Sequence, residues 1–218
     1  MTYIGIDFSV NFPSVCISED FKKFKWISCV NGNITKKFKK ILNDSTSDSL
    51  DFNYIDSKQK KTDQYFLTER NKLRNQLDSV ITLISKIKTK IKPGPIVIGI
   101  EGYSYGSAGN SLVDIAQSTG ILKSLIYKEL TNNSVETIYV FSPGELKNAI
   151  GEKGNCGKIE IFHAFINNPI IEEVKETDLY KFVLNNKDDI FNGKEVKSPI
   201  SDMIDSFLPI LKFQQILK

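Results

Sequence analysis

Four carboxylates in this 218-residue chain stand where an acid is costly unless a cation meets it. Asp7 closes the apolar run Ile4-Gly5-Ile6, and Glu101 closes Ile96-Val97-Ile98-Gly99-Ile100. Both runs read as buried strands, the second wholly apolar as a strand covered on both faces must be. Asp202 and Asp205 lie three residues apart, hence on one face of a helix. A charge at the end of a buried strand is expensive. Four acids gathered together raise one another's pKa unless divalent cations neutralise them. The chemistry that uses such a set is two-metal phosphodiester hydrolysis, and oxygen-only donors fit Mg²⁺ or Mn²⁺ rather than zinc. Taken singly, Asp7 also suits a turn cap and Asp202 a helix N-terminus. Glu101 and Asp205 are harder to place structurally.

The elements that must carry these acids follow from periodicity and punctuation. Residues 3–8, 14–18 and 24–30 read as a β-meander, with Asn11-Phe12-Pro13 and Glu19-Asp20 as turns. Residues 31–62 are polar and lysine-rich and read as a long loop or mobile insertion. From about 63 to 92 the pattern is helical, with Phe66, Leu73, Leu77, Val80, Ile81, Ile84 and Ile87 as its apolar positions. Strands are expected over 96–101 and 135–141, with a helix from about 110 to 130 between them. Ser142-Pro143 opens a short helix through Ala149. The glycine loop 151–157 leads into another from Lys158 to about Phe165. Residues 168–198 are acidic and weakly periodic and read as a second insertion. A last helix starts at Ser198-Pro199, and Pro209 is expected to kink or end it. The expectation is one α/β domain over 1–218, without internal repeats, carrying insertions at about 31–62 and 168–198.

Bulk composition bounds the partners. Hydrophobic content of 40% and charged content of 25% are ordinary for a soluble globular chain. Net charge is only +3, but nearly all the positive charge is lysine, since Arg70 and Arg74 are the only arginines. Lysine meets phosphate as a point charge, whereas bidentate reading of guanine edges favours arginine. Contact with a nucleic acid would therefore be mainly with its backbone; an AT-rich coding genome accounts for the lysine excess equally well. Cys16, Cys29 and Cys156 lack metal-ligand spacing and are odd in number, which implies reduced thiols in a cytoplasmic setting. No secretion signal opens the chain, and no apolar run reaches the length of a membrane span.

In their order, these motifs resemble the RNase H-like nuclease superfamily and, within it, the RuvC-type Holliday junction resolvases. The residues that carry the resemblance are Gly5-Ile6-Asp7, Ile100-Glu101, Pro143 through Lys147, the loop 151–157 with Lys158, and Asp202 through Asp205. The resemblance spans most of the chain apart from the two insertions. It implies an α/β fold with an RNase H-like mixed sheet, a meander followed by parallel strands, flanked by helices. It also implies two metal ions held by Asp7, Glu101, Asp202 and Asp205, with Asp7 bridging them. Lys147 and Lys158 match two lysines that act on the phosphate, Lys158 among the catalytic groups, and Lys153 is a further DNA-contact candidate. Solvated helix-end lysines are the plainer account of Lys147 and Lys158. Tyr103 or Tyr105, just after Glu101, would stack on unpaired bases, or else pack as ordinary loop tyrosines. The expected partner is branched DNA, a four-way junction. Ala116 and Gly120 on the 110–130 helix fit a homodimer interface. His163, the only histidine, sits in an apolar helix and reads as structural.

Other functions compete. An RNase H-like nuclease acting on RNA, RNA–DNA hybrid or other DNA structures would use the same acids. An actin-like ATPase also opens on Gly-Ile-Asp, but needs a duplicated core and phosphate loops that this chain lacks. A catalytically dead binding module is disfavoured by the full set of acids. The insertions and the lysine-, asparagine- and isoleucine-rich composition point to a phage, viral or AT-rich-host version.

Overall fold

The computed structural model describes residues 1–55, 64–102, 110–130, 135–167 and 169–217. Six strands form one sheet: β1 (Thr2–Asp7), β2 (Ser14–Ser18), β3 (Phe24–Val30), β4 (Leu50–Tyr54), β5 (Ile96–Glu101) and β6 (Val135–Phe141), in the order β4-β3-β2-β1-β5-β6. β2 runs antiparallel to both β1 and β3, while β5 is parallel to β1, β6 to β5 and β4 to β3. Five strands thus point one way, and their carboxyl ends share one edge of the sheet. This is the mixed arrangement expected, a meander joined to parallel strands and flanked by helices, with β4 added beyond the meander.

Strand alternation divides the core in two. Ile4 and Ile6 of β1 face one layer, closed by α2 (Tyr65–Lys90) and α3 (Asn110–Leu130) through Val80, Leu83, Ile84, Ile87, Leu122 and Ile126. The opposite layer holds Trp26, Phe162, Phe165 and Phe207. Its helices are α1 (Lys36–Asp44), α4 (Pro143–Ala149), α5 (Lys158–Asn167), α6 (Asp178–Asn185), α7 (Lys187–Ile190) and α8 (Ile200–Ile216).

Several sequence expectations need correction. Within 31–62 the chain forms α1 and β4. Thr35 caps α1 by accepting a hydrogen bond from the Phe38 N–H at 3.2 Å, and Phe38 and Leu42, one turn apart, are buried. Residues 56–63 lie outside the described residues. Of the stretch 168–198, residues 169–198 are described and likewise structured, with a 3₁₀ turn at Glu172–Glu176 followed by α6 and α7. Val174, Leu179, Val183, Ile190 and Val196 join the core beneath α8. α8 begins at Ile200 and runs through Pro209 to Ile216. Finally, α2 buries Val80, Ile84 and Ile87, but Phe66, Leu73, Leu77 and Ile81 are exposed rather than in the core.

Candidate active site

Parallel pairing sets Gly5 opposite Gly99 and Ile6 opposite Ile100. Asp7 and Glu101 are the next residues on each strand, so the two acids stand side by side at the carboxyl edge. Each shares a strand face with the glycine two residues earlier. That face looks toward α8. A Cβ at Gly5 would overlap the Ser206 carbonyl oxygen, and one at Gly99 would come within 2.7 Å of Pro209 Cβ. The paired glycines thus let α8 lie directly on β1 and β5. The helix face presented there carries Asp202 and Asp205, which are 3% and 8% exposed.

The four acids line a single cavity of about 270 Å³, together with Lys147 and Lys158. Lys158, at the start of α5, places Nζ 3.4 Å from Asp202 Oδ1 and 3.4 Å from Asp205 Oδ2. Ser198 donates a hydrogen bond to Asp202 Oδ2, as does Ser201 at 3.1 Å. Neither serine was read from the sequence as a site residue. Their signal lay in their offsets of four and one residues before Asp202, within bonding reach of its carboxylate.

Burial, then Asp202, Asp205 and Glu101, push the Asp7 carboxyl well above the usual range, against a pull from Lys158. Burial and Asp205 push Glu101 up to about 7. Asp205 is pushed up to about 6 by burial, with Asp202 adding and Lys158 opposing. Burial works against the Lys158 charge, but Asp202, Asp205 and Asp7 outweigh it and hold the ammonium more firmly protonated. The cluster is short of positive charge: Lys158 and, more weakly, Lys147 face four acids.

These properties fit a hard divalent cation: the donors are oxygens, they share one cavity, and they carry more negative charge than their surroundings balance. Among the described residues no three acids already enclose a metal-sized point. The Lys158 ammonium instead occupies the position between Asp202 and Asp205.

The remaining candidates divide. Lys147 lines the cavity, but its Nζ donates to the Cys156 carbonyl at 2.6 Å, bracing the glycine loop against α4. Lys153 is exposed on that loop and is absent from the cavity wall. Tyr103 and Tyr105 lie outside the described residues. His163 makes edge contacts with Phe162 and Phe191, at centroid distances of 5.9 and 5.4 Å, as a packing residue would. Of the helix pair proposed for dimer contact, Gly120 faces open space.

No family profile and no curated protein sequence matches the chain. Among solved structures it is similar to Thermus thermophilus RuvC, at 12% identity and TM-score 0.49, covering 99% of this chain and 96% of that one. The yeast mitochondrial Holliday junction resolvase Ydc2 is similar at 18% identity and TM-score 0.49, with 99% and 79% covered. T. thermophilus RuvC in complex with Holliday junction substrate is similar at 12% identity and TM-score 0.45, with 99% and 96% covered.

Proposed function

We propose that this chain is a metal-dependent endonuclease that cuts branched DNA at the site formed by Asp7, Glu101, Asp202 and Asp205. The observation that carries the reading is the convergence of these four acids, from two paired strands and one helix, on a cavity they share with Lys158. Oxygen donors of this kind would hold Mg²⁺ or Mn²⁺, two ions in the two-metal form of the reaction. With those ions bound, the chemistry supplied is activation of water and stabilisation of the leaving oxygen.

The chain's own groups do the rest. Asp7 and Glu101, fixed on adjacent strands, set the floor of the site. Ser198 and Ser201 hold the Asp202 carboxylate by hydrogen bonds and so orient it. Lys158, in the same cavity as the acids, would offset charge that develops on a phosphate held there. Lys147 acts through the glycine loop that it braces. Lysine as nearly the only cation type supports recognition of backbone and shape over base edges.

A four-way junction has approximate two-fold symmetry and needs two nicks, so a second copy of this chain belongs to the reading. In support, α2 exposes Phe66, Leu73, Leu77 and Ile81, and the neighbouring α3 exposes Val113 and Tyr127. The test is gel-resolved cleavage of a labelled four-way junction beside matched duplex, flap and RNA–DNA hybrid, with Mg²⁺, Mn²⁺ or EDTA. Metal-dependent, paired nicks in the junction support the reading. Preferential cutting of the hybrid would make this a general RNase H-like nuclease instead.

A further inference from the structure

Beside the acid site is a second cavity of about 330 Å³, within the range of roughly 300–1,000 Å³ usual for small-ligand sites. Its apolar lining includes Phe12, from the turn after β1, with Ile34 and Phe38, from the segment that enters α1. Its polar lining is Asn33, Thr35, Glu195, Lys197 and Ser198, so the one carboxylate there has a lysine as neighbour. The Phe12 ring lies against Gly32 so closely that a Cβ at position 32 would overlap it, and Phe12 remains partly exposed. The ring is therefore backed by main chain and held in place.

Two hydrogen bonds join this cavity to the acids. Ser198, in its wall, donates to Asp202 Oδ2. The Phe12 N–H donates to Ser9 Oγ at 3.0 Å, and Ser9 lines the acid cavity. Beyond Asn33 and Ile34 a further cavity of about 380 Å³ continues along the carboxyl edge of β3 and β4, walled by Lys39 and Tyr54, with the Lys39 ammonium 4.2 Å from the tyrosine ring centre. The track thus runs from acids to an aromatic pocket to a basic, aromatic-lined groove. A held aromatic ring, an amide, hydroxyls and nearby lysines are the chemistry that takes a nucleobase by stacking while its backbone stays outside.

We propose that the cavity at Phe12 receives one unpaired nucleobase of the DNA strand whose phosphate lies at the acid site, with the base stacked on Phe12. This rests on the nuclease reading above.

The probe is a four-way junction carrying a single abasic nucleotide, moved in turn through the positions flanking the cleaved phosphate, with binding read by fluorescence anisotropy in EDTA. For the wild type, affinity should fall by about 5- to 100-fold at one position only. Phe12→Ala should lose comparable affinity for the intact junction and lose little more when that base is removed; Phe12→Trp should restore the position effect. Losses from Phe12→Ala and from the abasic site that simply add would overturn the pocket. So would a wild-type profile without a position effect, a result that needs no variant to fold. Mg²⁺-dependent cleavage of the intact junction separates the two claims. Cleavage with a flat abasic profile overturns the pocket alone, whereas a wild type that neither binds nor cuts the junction overturns the nuclease reading.

Discussion

Gly5 on β1 and Ser206 on α8 meet backbone to backbone, with no room for a Cβ between them. Two residues beyond Gly5 is Asp7, and one residue before Ser206 is Asp205. The contact therefore sets the height of one acid above the other. Gly5→Ala should push α8 off the sheet. We expect a loss of about 1–3 kcal/mol, as for overpacking in a dense core, read as a lower melting midpoint. Thermal stabilisation by Mg²⁺ should shrink with it. A variant that melts like the wild type and keeps the full Mg²⁺ effect would show that α8 does not depend on this contact.

Lys158 is the cation that the structure places between Asp202 and Asp205. Lys158→Met should slow single-turnover cleavage by about 10²–10³-fold, the usual cost of removing a group that meets developing charge. Lys158→Arg should recover part of the rate. If Lys158→Met cuts at the wild-type rate, the lysine serves only to balance Asp202 and Asp205 and takes no part in the reaction.

The raised carboxyls give a pH signature. Glu101, pushed from an ordinary 4.5 to about 7, keeps in the folded state a proton that the unfolded chain loses. Its contribution is full below about pH 4.5 and is lost as pH rises through 7, so metal-free stability should decline across that window. Melts in EDTA should show a shallower decline for Glu101→Gln than for wild type, and Mg²⁺ should stabilise the wild type more at pH 8 than at pH 5. Identical pH slopes for the two proteins would contradict the assignment.

Much of this site was legible because its parts are local. A strand that ends in an acid, and two acids one helical turn apart, can be read without knowing the fold. Strands 14–18, 24–30, 96–101 and 135–141 fall where the pattern placed them. The failures have physical causes. α1 hides two buried residues, Phe38 and Leu42, among four lysines, so composition masked a helix that the Thr35 cap could have flagged. α2 is 26 residues long, about 39 Å, whereas strands of five to seven residues span roughly 17–23 Å. Its N-terminal half buries little, and apolar spacing alone did not separate Phe66, Leu73 and Leu77 from the truly buried Val80, Ile84 and Ile87. The pairing of Gly5 with Gly99, which seats α8, depends on register between distant strands.

The exposed apolar stripe of α2 bears on assembly. If a second copy covers Leu77 and Ile81, replacing both with lysine should convert a dimer to a monomer in sedimentation equilibrium while leaving the melting midpoint nearly unchanged. Junction cleavage should then give single rather than paired nicks. A wild type that sediments as a monomer at micromolar concentration and with DNA bound would remove the dimer from the account.

The central claim, that the acids make one metal-dependent cutting site, is met most directly by comparing Asp7→Asn with the wild type on one labelled four-way junction, with binding and cleavage read in the same Mg²⁺ buffer. The account predicts that the wild type nicks the junction. The variant should still bind it and leave it uncut. Nicking by pure Asp7→Asn at the wild-type rate would contradict it.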